Sequence, residues 1–114
     1  MTDHKSVFRA YLHAFNTGDL EAFDDLVTED YRNHDPLHPD PEPGPAGLKP
    51  IVSELRAQAP DLRFEEVHLI VEDDLLAAHL LVHGFGEAPV RQIQIERFAG
   101  DRIAEHWRAT GSGA

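Results

Sequence analysis

Side chains able to move protons or hold a polar ligand are densest near the end of the chain, in VRQIQIERFAGDRIAEHWR, Val90 to Arg108. Gln92, Gln94 and Glu96 alternate there with Ile93, Ile95 and Arg97. Beyond Gly100-Asp101, Ile103, Glu105 and Trp107 alternate with Ala104, His106 and Arg108. Alternation with period two is the mark of a strand, and Gly-Asp suits a tight turn, so the stretch predicts a β-hairpin. A hairpin that only filled a core would not need such groups. The first strand offers two amides and a carboxylate on one face. The second offers Glu105 with Trp107 or, one residue out of step, His106 with Arg108. The reading adopted places Gln92, Gln94, Glu105 and Trp107 on the concave face and Ile93 and Ile95 on the convex one.

Other candidates lie upstream. His34 and Asp35, in YRNHDP, bring a carboxylate next to an imidazole, a combination suited to acid-base work. His79 lies within LLAAHLLVH, among apolar neighbours that argue against full solvation, and His83 shares its face near the strand end, where its position favours surface exposure. Histidine titrates near neutral pH, which makes it the natural proton carrier. His34, Asp35 and His38 carry metal-ligating atoms, but no helix or strand fixes their spacing, so no metal site is expected. His4, His13 and His68 read as solvated. Tyr11, Phe15, Tyr31 and Trp107 would wall a pocket, with plain core packing the alternative for each.

The elements that must position these groups follow from periodicity. Phe8, Tyr11, Leu12 and Phe15 form a helical stripe, predicting a helix from about Asp3 to Asn16 with Thr2 as N-cap, ended by Thr17-Gly18. Asp19 caps a shorter second helix in which Leu20, Phe23, Leu26 and Val27 share a face. Tyr31 to Gly47 holds five of the eight prolines, which fix φ and remove donors, so an extended loop is expected there. A third helix should run from about Leu48 to Ala59 with Pro50 in its first turn. Phe64 to Glu72 and Leu75 to His83 read as strands around an Asp73-Asp74 turn. With the closing hairpin they give a four-stranded antiparallel meander, with room for a short extra strand near Tyr31 to Asn33. Helices first and strands second is an α+β pattern in which a curved sheet wraps helices and leaves a cavity.

Composition narrows the function. A chain of 114 residues suits one domain spanning 1–114, with one core. It has no cysteine, so thiolate metal sites and cysteine nucleophiles are excluded. Twenty-one acidic residues against ten basic give a net charge of −11. That balance repels phosphate backbones and anionic lipid, so neither nucleic acid nor membrane is expected as a partner. No stretch approaches the roughly 20 apolar residues of a membrane span, and no signal-peptide pattern opens the chain, so a cytoplasmic protein is expected. Isoleucines on an outer sheet face suggest a homodimer.

The order of elements, with FNTGDLEAFDDLVTEDYRNHDP, APDLRFEEVHLIVEDDLLAAH and ERFAGDRIAEHW, resembles the SnoaL-like branch of the NTF2-like superfamily. The resemblance implies a cone-shaped α+β barrel with three N-terminal helices packed in a curved, mainly antiparallel sheet. It also implies acid-base chemistry next to a carbonyl, of the polyketide-cyclase or aldol-condensation kind, without a cofactor. On it, His34 is similar to the histidine after the second helix, His79 to a strand histidine, and Glu105-His106-Trp107 to the group's EHW string. An aspartate that usually follows EHW is here Arg108, and one on the preceding strand is aligned with Gln94. The implied catalytic candidates are His34, His79, Gln94, Glu105 and His106, with Gln94 or a second histidine holding an enolate oxygen. Tyr11, Phe15, Tyr31, Asn33, Asp35, His83, Gln92 and Trp107 would line the pocket of a small-molecule substrate. Two alternatives stay open: a ligand-binding protein without turnover, and an epoxide-hydrolase-like enzyme suggested by Tyr31 and Asn33.

Overall fold

A computed structural model describes residues 3–34 and 41–111. Asp35 and His38 therefore lie outside the described residues. Three helices pack on one face of a five-stranded sheet of order β1-β5-β4-β3-β2.

Helix α1, His4–Thr17, buries Val7, Phe8, Tyr11, Leu12, Ala14 and Phe15, the stripe expected from its spacing. Gly18, at φ 74°, ends it in the left-handed conformation that glycine adopts most readily. The second helix is shorter than the sequence suggests: a 3-10 turn, Leu20–Ala22, runs into α2, Phe23–Leu26. Val27, expected on that helix, instead opens β1, Val27–Asn33. Helix α3, Pro45–Gln58, begins three residues earlier than expected, because Pro45 fits the first turn, where no amide donor is needed.

Strands β2, Arg63–Glu72, β3, Leu75–His83, β4, Val90–Ala99, and β5, Arg102–Gly111, form the expected antiparallel meander. The short extra strand is real and longer than anticipated: β1 adds to the edge of β5 in parallel, pairing Asn33 with His106. The core lies between the helices and the inner sheet face, where Leu76, Ala78, Leu80 and Val82 of β3 meet Phe8, Phe15, Phe23 and Val52.

The closing hairpin corrects the expected register. Its strands pair Gln94 with Arg108, Ile95 with Trp107, Glu96 with His106 and Arg97 with Glu105, and then jump to Phe98 with Ile103. Ala104 is the residue skipped. Opposed residues in such a ladder share a face, so a one-residue bulge exchanges the faces of everything beyond it. Ile103 and His106 therefore both point inward, while Glu105 and Trp107 lie on the outer face with Ile93 and Ile95.

Candidate active site

Strands β4 and β5 present a polar ladder on the inner face. Its rungs are Gln92 with Thr110, Gln94 with Arg108, and Glu96 with His106. Successive rungs are about 6.5–7 Å apart, as a strand's rise requires. Gln92, Gln94, Glu96 and His106 are the buried polar residues among those described.

The innermost rung has the chemistry. His106 Nδ1 lies 2.7 and 2.9 Å from the two carboxylate oxygens of Glu96. The geometry makes Nδ1 the donor while the carboxylate is ionised, and leaves Nε2 out of that bond. Burial pushes the Glu96 carboxyl above its ordinary range, and His106 opposes the rise through its charge and hydrogen bond. Glu96 is fully buried and His106 is 4% exposed.

Two tyrosines complete the group. The hydroxyls of Tyr11, from α1, and Tyr31, from β1, are 3.1 Å apart. The Tyr11 ring is 6.5 Å from the His106 ring. Burial raises both phenols far above their ordinary value, and the Glu96 charge adds to the effect, while Arg108 works against it. Both are therefore neutral O–H donors at any pH the fold experiences. One proton can bridge the two hydroxyls, and the other can be directed elsewhere.

One cavity borders the outer rungs of the ladder, and another borders Tyr31. The larger, about 470 Å³, opens between α3 and the sheet, and Gln92, Arg108 and Thr110 are its polar sheet residues, facing Leu55, Phe64 and Phe85. The smaller, about 270 Å³, lies against Tyr31, Asn33 and His34 beneath Pro41–Pro43 and the start of α3. Among the described residues, no group of three or more histidines or carboxylates is placed to hold a metal ion.

The sequence candidates thus divide. His106, Gln94, Gln92, Tyr11 and Tyr31 come together inside, and Asn33 borders the smaller cavity. Phe15 packs against Tyr11, Phe23 and Phe64. His34 borders the smaller cavity but turns to the outer face, where it stacks on Trp107 at 4.9 Å and its Nε2 lies 2.7 Å from Glu105. Glu105 also accepts from Arg97, and first Arg97, then His34, hold its carboxyl below the ordinary range. This correction follows from the bulge: Glu105 and Trp107 leave the pocket as His106 enters. Two residues that the reading left out of its candidates share that inner face. Glu96 and Arg108 were legible as members of an alternating face, but only the register shows which face.

His79 and His83 are corrected in the same way. They pair with Ile93 and Arg63 and lie on the outer face, where His83 Nε2 meets Glu65 at 2.7 Å. His79 Nε2 is 3.1 Å from an Arg91 nitrogen, and its Nδ1 is 3.2 Å from His68 Nδ1. Arginine can only donate, so His79 Nε2 must accept and its proton must sit on Nδ1. His79 then donates to His68 Nδ1, which places the His68 proton on Nε2. Both bonds require two neutral rings. Nitrogen-15 NMR at alkaline pH should therefore find opposite tautomers for these histidines, and Arg91→Ala should release His79 to the tautomer mixture of a solvated ring. Identical tautomers at the two positions would refute the chain of bonds.

A SnoaL-like domain model matches residues 8–106. Among solved structures, a SnoaL-like polyketide cyclase from Agrobacterium tumefaciens superposes with a TM-score of 0.82 at 20% identity, covering 98% of this chain and 94% of that one. IdmH from Streptomyces antibioticus superposes with a TM-score of 0.78 at 23% identity, covering 96% and 92%. TsrD from Streptomyces laurentii gives 0.79 at 23% identity, covering 93% and 86%. These likenesses establish a shared fold. No curated protein matches the sequence.

Proposed function

The chain belongs to the SnoaL-like domain family, and from that premise we propose that it moves a proton at a carbon beside a carbonyl group of a small molecule. The reaction would be of the cyclisation, aldol or isomerisation kind. The observation that supports it is the buried Glu96–His106 pair next to two neutral tyrosine hydroxyls. In this reading His106 Nε2 takes the proton from carbon, and Glu96 holds the ring in position and stabilises its charge. A hydroxyl of the Tyr11–Tyr31 pair donates to the enolate oxygen as negative charge develops there. The proton then returns from His106 to the product. Side chains alone can perform each step.

Proton exchange from the carbon next to the carbonyl tests this directly. A panel of aromatic ketones in heavy water, followed by NMR, should show exchange accelerated by the protein for at least one member that binds. Binding of several members without acceleration would support the second reading, a ligand-binding protein. That reading is favoured by the 4% exposure of His106, which leaves it little contact surface.

A second copy of this chain is proposed as a partner of the outer sheet face. Ile70, Ile93 and Ile95 are 67%, 44% and 39% exposed there, and Ile95 lies opposite Trp107. Adjacent aliphatic groups on neighbouring strands gain by covering one another. Ile95→Lys should convert a dimer to a monomer in sedimentation. A wild-type protein that is monomeric throughout the micromolar range would refute the pairing.

A further inference from the structure

We propose that Gln94 is a specificity-determining residue, which selects ligands carrying a hydroxyl group over their alkylated counterparts. The inference rests on the inner cavity being the ligand site. Gln94 is 5% exposed. Its Nε2 donates to Gln92 Oε1, and Gln92 Nε2 in turn lies 3.4 Å from Thr110 Oγ1. In this arrangement the amide nitrogens of Gln94 and Gln92 both point along the chain toward Thr110. One of the two Gln94 N–H donors is engaged in this chain, and its acceptor is not: Gln94 Oε1 is a buried side-chain oxygen with no hydrogen-bond partner among the described residues.

A buried carbonyl in that condition calls for an explanation, because such groups are nearly always paired. The fold does not supply one. On β3, Gln94 stands opposite Ala78, which has no polar side chain, and the residues one rung to either side on that face of β3 are the apolar Leu76 and Leu80. A methionine would fill the space without stranding an acceptor. Toward the cavity the situation differs. Gln92, next on the same face, and Arg108, directly opposite on β5, both line the 470 Å³ space. Gln94 is the next rung inward from Gln92, paired with Arg108, and does not itself line the space.

A ligand reaching that rung meets an acceptor that needs a donor, beside an arginine that can only donate. A hydroxyl group satisfies that acceptor. The apolar side of the cavity, with Leu55, Phe64, Val82 and Phe85, suits a flat hydrocarbon body. In this reading Gln94 meets the ligand through its carbonyl oxygen, which accepts, and the tyrosines hold the enolate.

The test compares 6-hydroxy-2-acetonaphthone with its methyl ether. Wild type should bind the hydroxyl compound about tenfold more tightly, the effect of one well-made hydrogen bond to a group otherwise left unpaired. Gln94→Met should bring the two affinities together by weakening the hydroxyl compound alone. The unliganded variant should melt at or above the wild-type temperature, because an unsatisfied acceptor has been removed. An unchanged preference in Gln94→Met overturns the proposal, as does failure of wild type to bind either compound. A melting temperature several degrees lower overturns it too, since that would make the amide structural. His106→Phe separates the two readings: it should lose proton exchange while keeping the preference for the hydroxyl. A wild-type protein that shows the preference but no exchange refutes the catalytic reading alone.

Discussion

His106→Phe should lower the rate of proton exchange by a factor of about 10²–10⁴, the usual contribution of a positioned acid-base group. Phenylalanine keeps the ring but removes both nitrogens. It also strips Glu96 of the partner that holds its carboxyl down, both by charge and by hydrogen bond, and leaves burial to act alone. The sign of the stability effect follows. A buried carboxyl whose folded value exceeds its unfolded one holds its proton more tightly in the native state. Its contribution is therefore fully present below the ordinary carboxylate value and is lost as pH rises through the raised one. The variant should lie closest to wild type in stability near pH 4–5 and fall progressively behind toward pH 8. Removing the hydrogen-bond partner of a buried carboxylate costs about 3–5 kcal/mol when that charge stays ionised. Adding Glu96→Gln removes that charge, so the double variant should regain stability at neutral pH without regaining exchange. Urea denaturation across this pH range, beside the NMR exchange assay, reads both effects. Stability of His106→Phe that tracks wild type at every pH would mean that Glu96 does not depend on the imidazole.

Gly47→Ala should destabilise the protein by about 3 kcal/mol, near the upper end for forcing one methyl into a packed site. Helix α3 crosses the end of the proline-rich segment at this residue. A Cβ here would overlap the carbonyl oxygen of Glu42 and stand 2.7 Å from its carbon and 3.0 Å from its nitrogen. These are backbone atoms, which cannot turn aside as a side chain can. Nearby, the Gly44 amide donates to the Tyr31 carbonyl at 2.8 Å. Moving the segment therefore disturbs the strand that carries one of the two buried hydroxyls. Melting should fall by roughly 10 °C for a domain of this size. Gly111→Ala is the control: its Cβ would come no nearer than 4.0 Å to Arg91 O, and its effect should stay within about 0.5 kcal/mol. Equal melting temperatures for the two variants would show that the crossing has slack.

Much of this molecule was legible in its sequence. The stripe of Phe8, Tyr11, Leu12 and Phe15 could bury itself only as a helix, and the alternation in β4 set Gln92 and Gln94 opposite Ile93 and Ile95. The order of helices and strands carried the family resemblance, because local periodicity is written residue by residue. What the sequence did not settle was which face of each strand turned inward. In LLAAHLLVH both faces are largely apolar, so alternation alone does not tell whether His79 or Leu80 meets the core. In β5 the period itself breaks at Ala104, and a bulge depends on how two strands pair, not on either alone. That one skipped residue carries His106 and Arg108 into the interior and leaves Glu105 and Trp107 outside. The sequence by itself determined the fold and the supply of acid-base groups. Only the tertiary structure decided which of them meet, because register is a property of the assembled sheet.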